Sequence, residues 1–209
     1  METHYNRFAA RDLGRISALS DGIFAVAMTL LALDIHTPTS VDIHTEAQLW
    51  GALVALSPRL LTWLLSLMTL GIFWVGQQTQ INQLARADRA LSWLHFVFLA
   101  VITAMPFTTR ILAEFFAFRA AFFVYWANIA LAGASLYACW IHAERAELLN
   151  EGATAAISSA IKRRIVVAQA LYAGGALVGL VSVPAGVVLT IAIQLNYAIA
   201  PKLPILSKL

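Results

Sequence analysis

The 209-residue chain is 60% hydrophobic and only 12% charged, with a formal net charge of +3 and a single cysteine, Cys139. That is about half the charge of an average soluble domain. It excludes a disordered polymer, a collagen-like chain, a disulfide scaffold and a nucleic-acid-binding domain. A mean hydropathy of +0.76 reads instead as an all-α integral membrane protein. The basic excess then has a simple source in the Lys/Arg bias of cytoplasmic loops.

A helix needs about 20 mostly apolar residues to cross the hydrocarbon core. Taken in chain order, the pattern predicts spans over residues 16–35, 58–77, 93–111, 120–141, 164–183 and 185–200. Span one carries Asp21 and Asp34 near its two ends, and Pro58 suits the first turn of span two. The run from Ile165 to Ala200 is too long for one helix, so Pro184 and Gly186 are expected to divide it. Between spans one and two, Glu46–Ser57 reads as a short interfacial helix on the outer face. Glu144–Arg164 is the one sizeable soluble stretch, expected to be helical and too small for a catalytic domain. The expectation is a single six-helix domain over 1–209, with no second domain.

Loop charges orient it. Arg7, Arg11 and Arg15 precede span one, and Arg86 and Arg89 separate spans two and three. Arg145 and Lys162–Arg164 separate spans four and five, and Lys202 and Lys208 follow span six. The other side carries Arg59, Arg110 and Arg119. The asymmetry predicts both termini in the cytoplasm. Span one holds an acid and is too long for the apolar core of a cleaved signal peptide.

Catalytic and metal signatures are missing. There is no HExxH, CxxC, P-loop or GxGxxG, and His4, His36, His44, His95 and His142 are scattered. No catalytic residue, metal site or cofactor is therefore expected. Span four has no arginine ladder of the voltage-sensor kind, and no TVGYG filter is present. The small residues of Ala173–Gly179 suit helix packing.

Span one is the informative helix. At 100° per residue, Leu19, Val26, Leu30 and Leu33 share one face, with Thr29 at its edge. Asp21 falls on another face with Ala25 and Ala32, about 140° from Val26, and about 120° from Arg15. Trp74, Gln77 and Gln78, near the end of span two, reach the same depth as Ser20 and Asp21. They are expected as donors in a polar clasp between the helices.

These motifs carry a family likeness. Arg15 followed by Ser20-Asp21-Gly22 and IFAVAMTLLALDI, then GIFWV in span two and MPFTT at Met105–Thr109, resembles the transmembrane protein 175 family. These are endolysosomal-type potassium channels, here of the bacterial kind. The likeness is strongest through span three. Leu19 stands where the family usually has Phe, and Gln77 where His is common after the GxFW motif. The resemblance implies a six-helix protomer in the bacterial inner membrane, assembled as a homotetramer around a central pore lined by the first helix. It implies a hydrophobic constriction at Val26, Leu30 and Leu33, cation selectivity at Thr29, and Arg15, Ser20, Asp21, Trp74 and Gln77 as motif and clasp residues. Val26 is smaller than the Ile or Leu usual at its position. It implies K⁺ as the permeant ion, passively conducted. The alternative is a proton-coupled or proton-conducting secondary transporter with Asp21 as carrier. An aliphatic midplane disfavours it, since transporters place a polar site there.

Overall fold

The computed structural model describes residues 12–36 and 43–198. Arg7, Arg11, Lys202 and Lys208 lie outside them. The described residues form helices α1 (Leu13–Leu33), α2 (Glu46–Ala55), α3 (Ser57–Ile81), α4 (Arg89–Thr103), α5 (Met105–Glu114), α6 (Arg119–Arg145), α7 (Ala155–Val181) and α8 (Val183–Ala198). Five stretches are long and apolar enough to cross a membrane: α1, α3, α4 with α5, α6, and α7. The eighth helix has 16 residues and is about 24 Å long.

Short polar side chains start these helices. Asp12 caps α1, accepting from Gly14 N at 2.9 Å, and Asp88 caps α4, accepting from Leu91 N at 2.6 Å. Thr45 and Gln48 form a reciprocal capping box at α2. Such caps satisfy amides that a helix start leaves unpaired. Between α4 and α5 the break is at Ala104, just before Pro106, whose missing N–H and bulky ring interrupt a helix. The third span therefore runs longer than its predicted 93–111, and with a joint.

Two other boundaries differ from the sequence expectation. The soluble stretch after span four is not one helix: α6 ends at Arg145, and Glu147 takes a left-handed φ of 54° that turns the chain. The next helix starts at Ala155, capped by Thr154, so Lys162–Arg164 lie on α7 and not before it. Alanine-rich helix formers carry the helix past the charges, and Lys162 pairs with Glu144 at 3.0 Å. The division between α7 and α8 falls at Ser182, in an extended conformation (φ −148°, ψ 114°), with Pro184 in the first turn of α8. Gly186 does not break the run. A Cβ there would meet Gly179 Cα at 2.9 Å, so this glycine allows close approach of the two helices.

The core gathers Phe24, Phe73 and Phe98, whose rings lie 6.1 and 6.2 Å apart pairwise through Phe98. Beside it runs a polar seam. Ser66 and Thr109 pair at 2.7 Å, Thr69 and Tyr125 at 3.0 Å, and Gln194 Nε2 donates to Thr69 Oγ1 at 2.6 Å. Asn128 donates to Thr108 at 3.2 Å. Polar groups sequestered from water must be paired in this way, which gives the two threonines of MPFTT a structural use.

The bundle has one basic end. There Leu84 bridges Leu149, His142 Nε2 meets Asp88 Oδ2 at 2.9 Å, and Leu13 and Ile16 pack against the Leu84–Leu91 cluster. At the other end Asp34 pairs with Arg110 at 3.7 Å. The first turn of α1 and the last turn of α8 share the basic end, where Arg164 lies 5.9 Å from the Tyr197 ring centre.

Candidate functional site

The first helix divides into sectors with different surroundings. Ser20, Phe24, Ala27 and Leu31 are buried at 2% exposure or less, facing α3 and α4. Leu19, Val26, Leu30 and Leu33 are exposed, at 51, 58, 47 and 74%. Among the described residues the aliphatic stripe is thus left uncovered. Between the two, Ala18, Gly22, Ala25 and Ala32 form an exposed sector of small residues. Thr103 of α4 borders the groove along Gly22 and Val26; nothing in its local sequence marked it beforehand.

Thr29 is exposed beside the stripe, and its hydroxyl donates to Val26 O at 2.8 Å. A hydroxyl whose proton is held by a backbone carbonyl turns lone pairs outward. It is thereby suited to accept a water or a cation.

The structure brings Ser20, Asp21, Trp74 and Gln77 together. Trp74 Nε1 donates to Asp21 Oδ1 at 2.8 Å, and Gln78 Nε2 donates to the same oxygen at 3.0 Å. Gln77 Nε2 donates to Ser20 Oγ at 2.5 Å, while Ser20 donates to Ile16 O at 2.8 Å. Gln78 also reaches Ser17 Oγ at 3.5 Å. Neighbouring residues Gln77 and Gln78 therefore grip two successive positions of α1, one inside the helix bundle and one at its edge. Arg15 is not part of this contact. It is exposed, and among the described residues no carboxylate pairs with its guanidinium. Behind the clasp, Gln77 Oε1 and His95 Nε2 are buried without hydrogen-bond partners.

Among the described residues no three His, Cys, Asp or Glu side chains gather as a metal site. The arrangement is a non-polar face with one hydroxyl, held at a fixed rotation by a polar clasp on another side.

Comparison with known proteins gives this face its context. Residues 15–106 match the family model of the endosomal/lysosomal potassium channel TMEM175. A potassium channel of Chamaesiphon minutus is 37% identical over 142 residues, 66% of this chain and 69% of that one. A potassium channel of Streptomyces collinus is 41% identical over 102 residues, 49% of this chain; the match spans about half of that relative's length, 48%. The human endosomal/lysosomal proton channel TMEM175 is 33% identical over 97 residues, 44% of this chain and 19% of that one. In three dimensions the chain is similar to the crystal structure of a lysosomal potassium-selective channel TMEM175 homolog from Chamaesiphon minutus. The TM-score is 0.76 at 28% identity, covering 90% of this chain and 97% of the other. These relatives are named as ion channels, not enzymes.

Proposed function

Because this chain belongs to the TMEM175 family, we propose that it is a potassium-permeable cation channel whose pore is closed by copies of its own first helix. The observation that carries the reading is the aliphatic stripe of α1, left uncovered by the protomer that makes it. One stripe cannot enclose an ion. A ring of four, in a homotetramer, places Val26, Leu30 and Leu33 around one axis.

Such a ring admits only ions that shed part of their hydration. K⁺ holds its water less strongly than the smaller Na⁺, so a narrow apolar collar favours K⁺ without carbonyl ligands. The outward lone pairs of Thr29 replace some of the lost water. The same collar gates by dewetting.

Six crossings fit this reading, the sixth being α8. Its length of about 24 Å falls short of a core of about 30 Å, and local bilayer thinning at modest cost accommodates the difference. The basic end faces the cytoplasm by the charge bias, in the inner membrane of a bacterium, with both chain ends on that side of a single six-helix domain.

A second reading, proton conduction, is favoured by the names of the vertebrate relatives. Asp21 is the acid it would use. That carboxylate accepts two hydrogen bonds from α3 and sits off the stripe, so an ion moving along the stripe does not meet it.

Liposome flux tests both. Purified protein in K⁺-loaded vesicles should drive K⁺ efflux coupled to proton entry through an added protonophore. Flux no greater than in protein-free vesicles, with valinomycin confirming that they are sealed, overturns the channel. Proton entry without protonophore supports the second reading.

A further inference from the structure

A slot of about 70 Å³, separate from the stripe, opens at the basic end of the bundle between α3 and α7, with α6 behind it. It exists because α3 and α7 are held apart there, each packing on α8 and α6. Exposed Arg164 stands at its mouth, and Ile72, Leu136, Ile165 and Ala168 form its walls. From Arg164 to Tyr172 the slot follows α7 for eight residues, about 12 Å. Tyr172 lies at the inner end, 2% exposed, its hydroxyl turned to the Gln194 side chain of α8.

Charge sets the class of occupant. Of the three consecutive basic residues, Lys162 is committed to Glu144 at 3.0 Å. Arg164 meets the ring of Tyr197, and among the described residues no carboxylate pairs with it. Its guanidinium retains donors suited to a phosphate. Shape narrows the class further. The slot of about 70 Å³ has room for only a few methylenes, so it grips one segment of a slender chain whose remainder lies in the bilayer. A cation at the membrane boundary above a narrow apolar trough matches one amphiphile.

We propose that this slot seats an acidic phospholipid from the leaflet at the basic end, its phosphate on Arg164 and one acyl chain along Ile72, Ile165 and Ala168. Basic pockets between membrane helices hold acidic headgroups in the same manner. The site lies apart from α1 and does not depend on where the pore runs.

The test titrates the full-length protein in neutral detergent with phosphatidylglycerol, phosphatidylcholine or inorganic phosphate, counting bound molecules by native mass spectrometry. Phosphatidylglycerol should bind about tenfold tighter than phosphatidylcholine, a step that one charged contact can supply. Arg164→Gln should abolish that preference, whereas Arg163→Gln, exposed beside it, should change it less than about twofold. Ala168→Phe, which fills the trough and leaves every charge in place, should weaken both lipids. Equal affinity for the two lipids, or equal loss in the two arginine variants, overturns the proposal. So does displacement by inorganic phosphate as effective as by lipid, or a wild-type protein that takes up no acidic lipid because a second copy fills the slot.

Discussion

Trp74 Nε1 lies 2.8 Å from Asp21 Oδ1, and together with Gln78 on the same oxygen it ties the edge of α3 to the side of α1 that faces neither its own core nor the aliphatic stripe. The rotation of α1 follows from it. With Asp21 held toward α3, Val26 and Leu30 turn outward.

Removing the carboxylate should therefore loosen assembly more than it alters ion choice. Asp21→Ala deletes two charge-assisted hydrogen bonds. At a partly exposed site the loss should be about 1–2 kcal/mol. The measurement is tetramer recovery by size exclusion with light scattering, beside the K⁺/Na⁺ flux ratio. A stable Asp21→Ala tetramer with altered selectivity would reverse the assignment.

Widening the collar should relax discrimination. Leu30→Ala or Val26→Ala removes methyl groups from the stripe, so less water is stripped from Na⁺. The Na⁺/K⁺ permeability ratio should rise several-fold in liposome flux. An unchanged ratio takes these residues out of the constriction.

Thr29 offers an isosteric test. Thr29→Val keeps the shape and removes the hydroxyl that now donates to Val26 O. K⁺ flux relative to Na⁺ should fall, and Thr29→Ser should restore it. If valine is silent, the apolar ring alone makes the choice.

Packing of α7 on α6 predicts a sharp contrast between two nearby glycines. A Cβ at Gly179 would sit 2.3 Å from the Phe122 ring, whereas one at Gly174 meets nothing within 4 Å. Gly179→Ala should cost about 1–3 kcal/mol by overpacking. Gly174→Ala should be neutral or gain up to about 1 kcal/mol of helix propensity. Thermal unfolding followed by tryptophan fluorescence separates them.

Much of this was legible along the chain. Apolar runs set the long helices, and the 3.6-residue period placed Val26, Leu30 and Leu33 on one face because helical geometry is local. The donors of the clasp could be found by depth alone, since Gln77 and Gln78 stand as far from one boundary as Ser20 and Asp21. What could not be found is what tertiary packing decides. Gln194 and Thr69 are 125 positions apart, and no period connects them. Lys162–Arg164 read as lying before the fifth span because charge usually marks the membrane edge. Here Glu144 neutralises one member while the helix continues through all three. Arg15 shares a motif with Asp21 but not a contact, since position along a sequence does not report azimuth around a partner.

The polar seam through Ser66, Thr69, Thr109, Tyr125 and Gln194 draws α3, α5, α6 and α8 into one hydrogen-bonded unit. In a medium without water, sliding any of these helices means breaking bonds that find no substitute. The four are thereby tied together as a block. In the proposed channel, any change of shape would then fall to the joints around that block, the tilt of α1 on its clasp foremost among them.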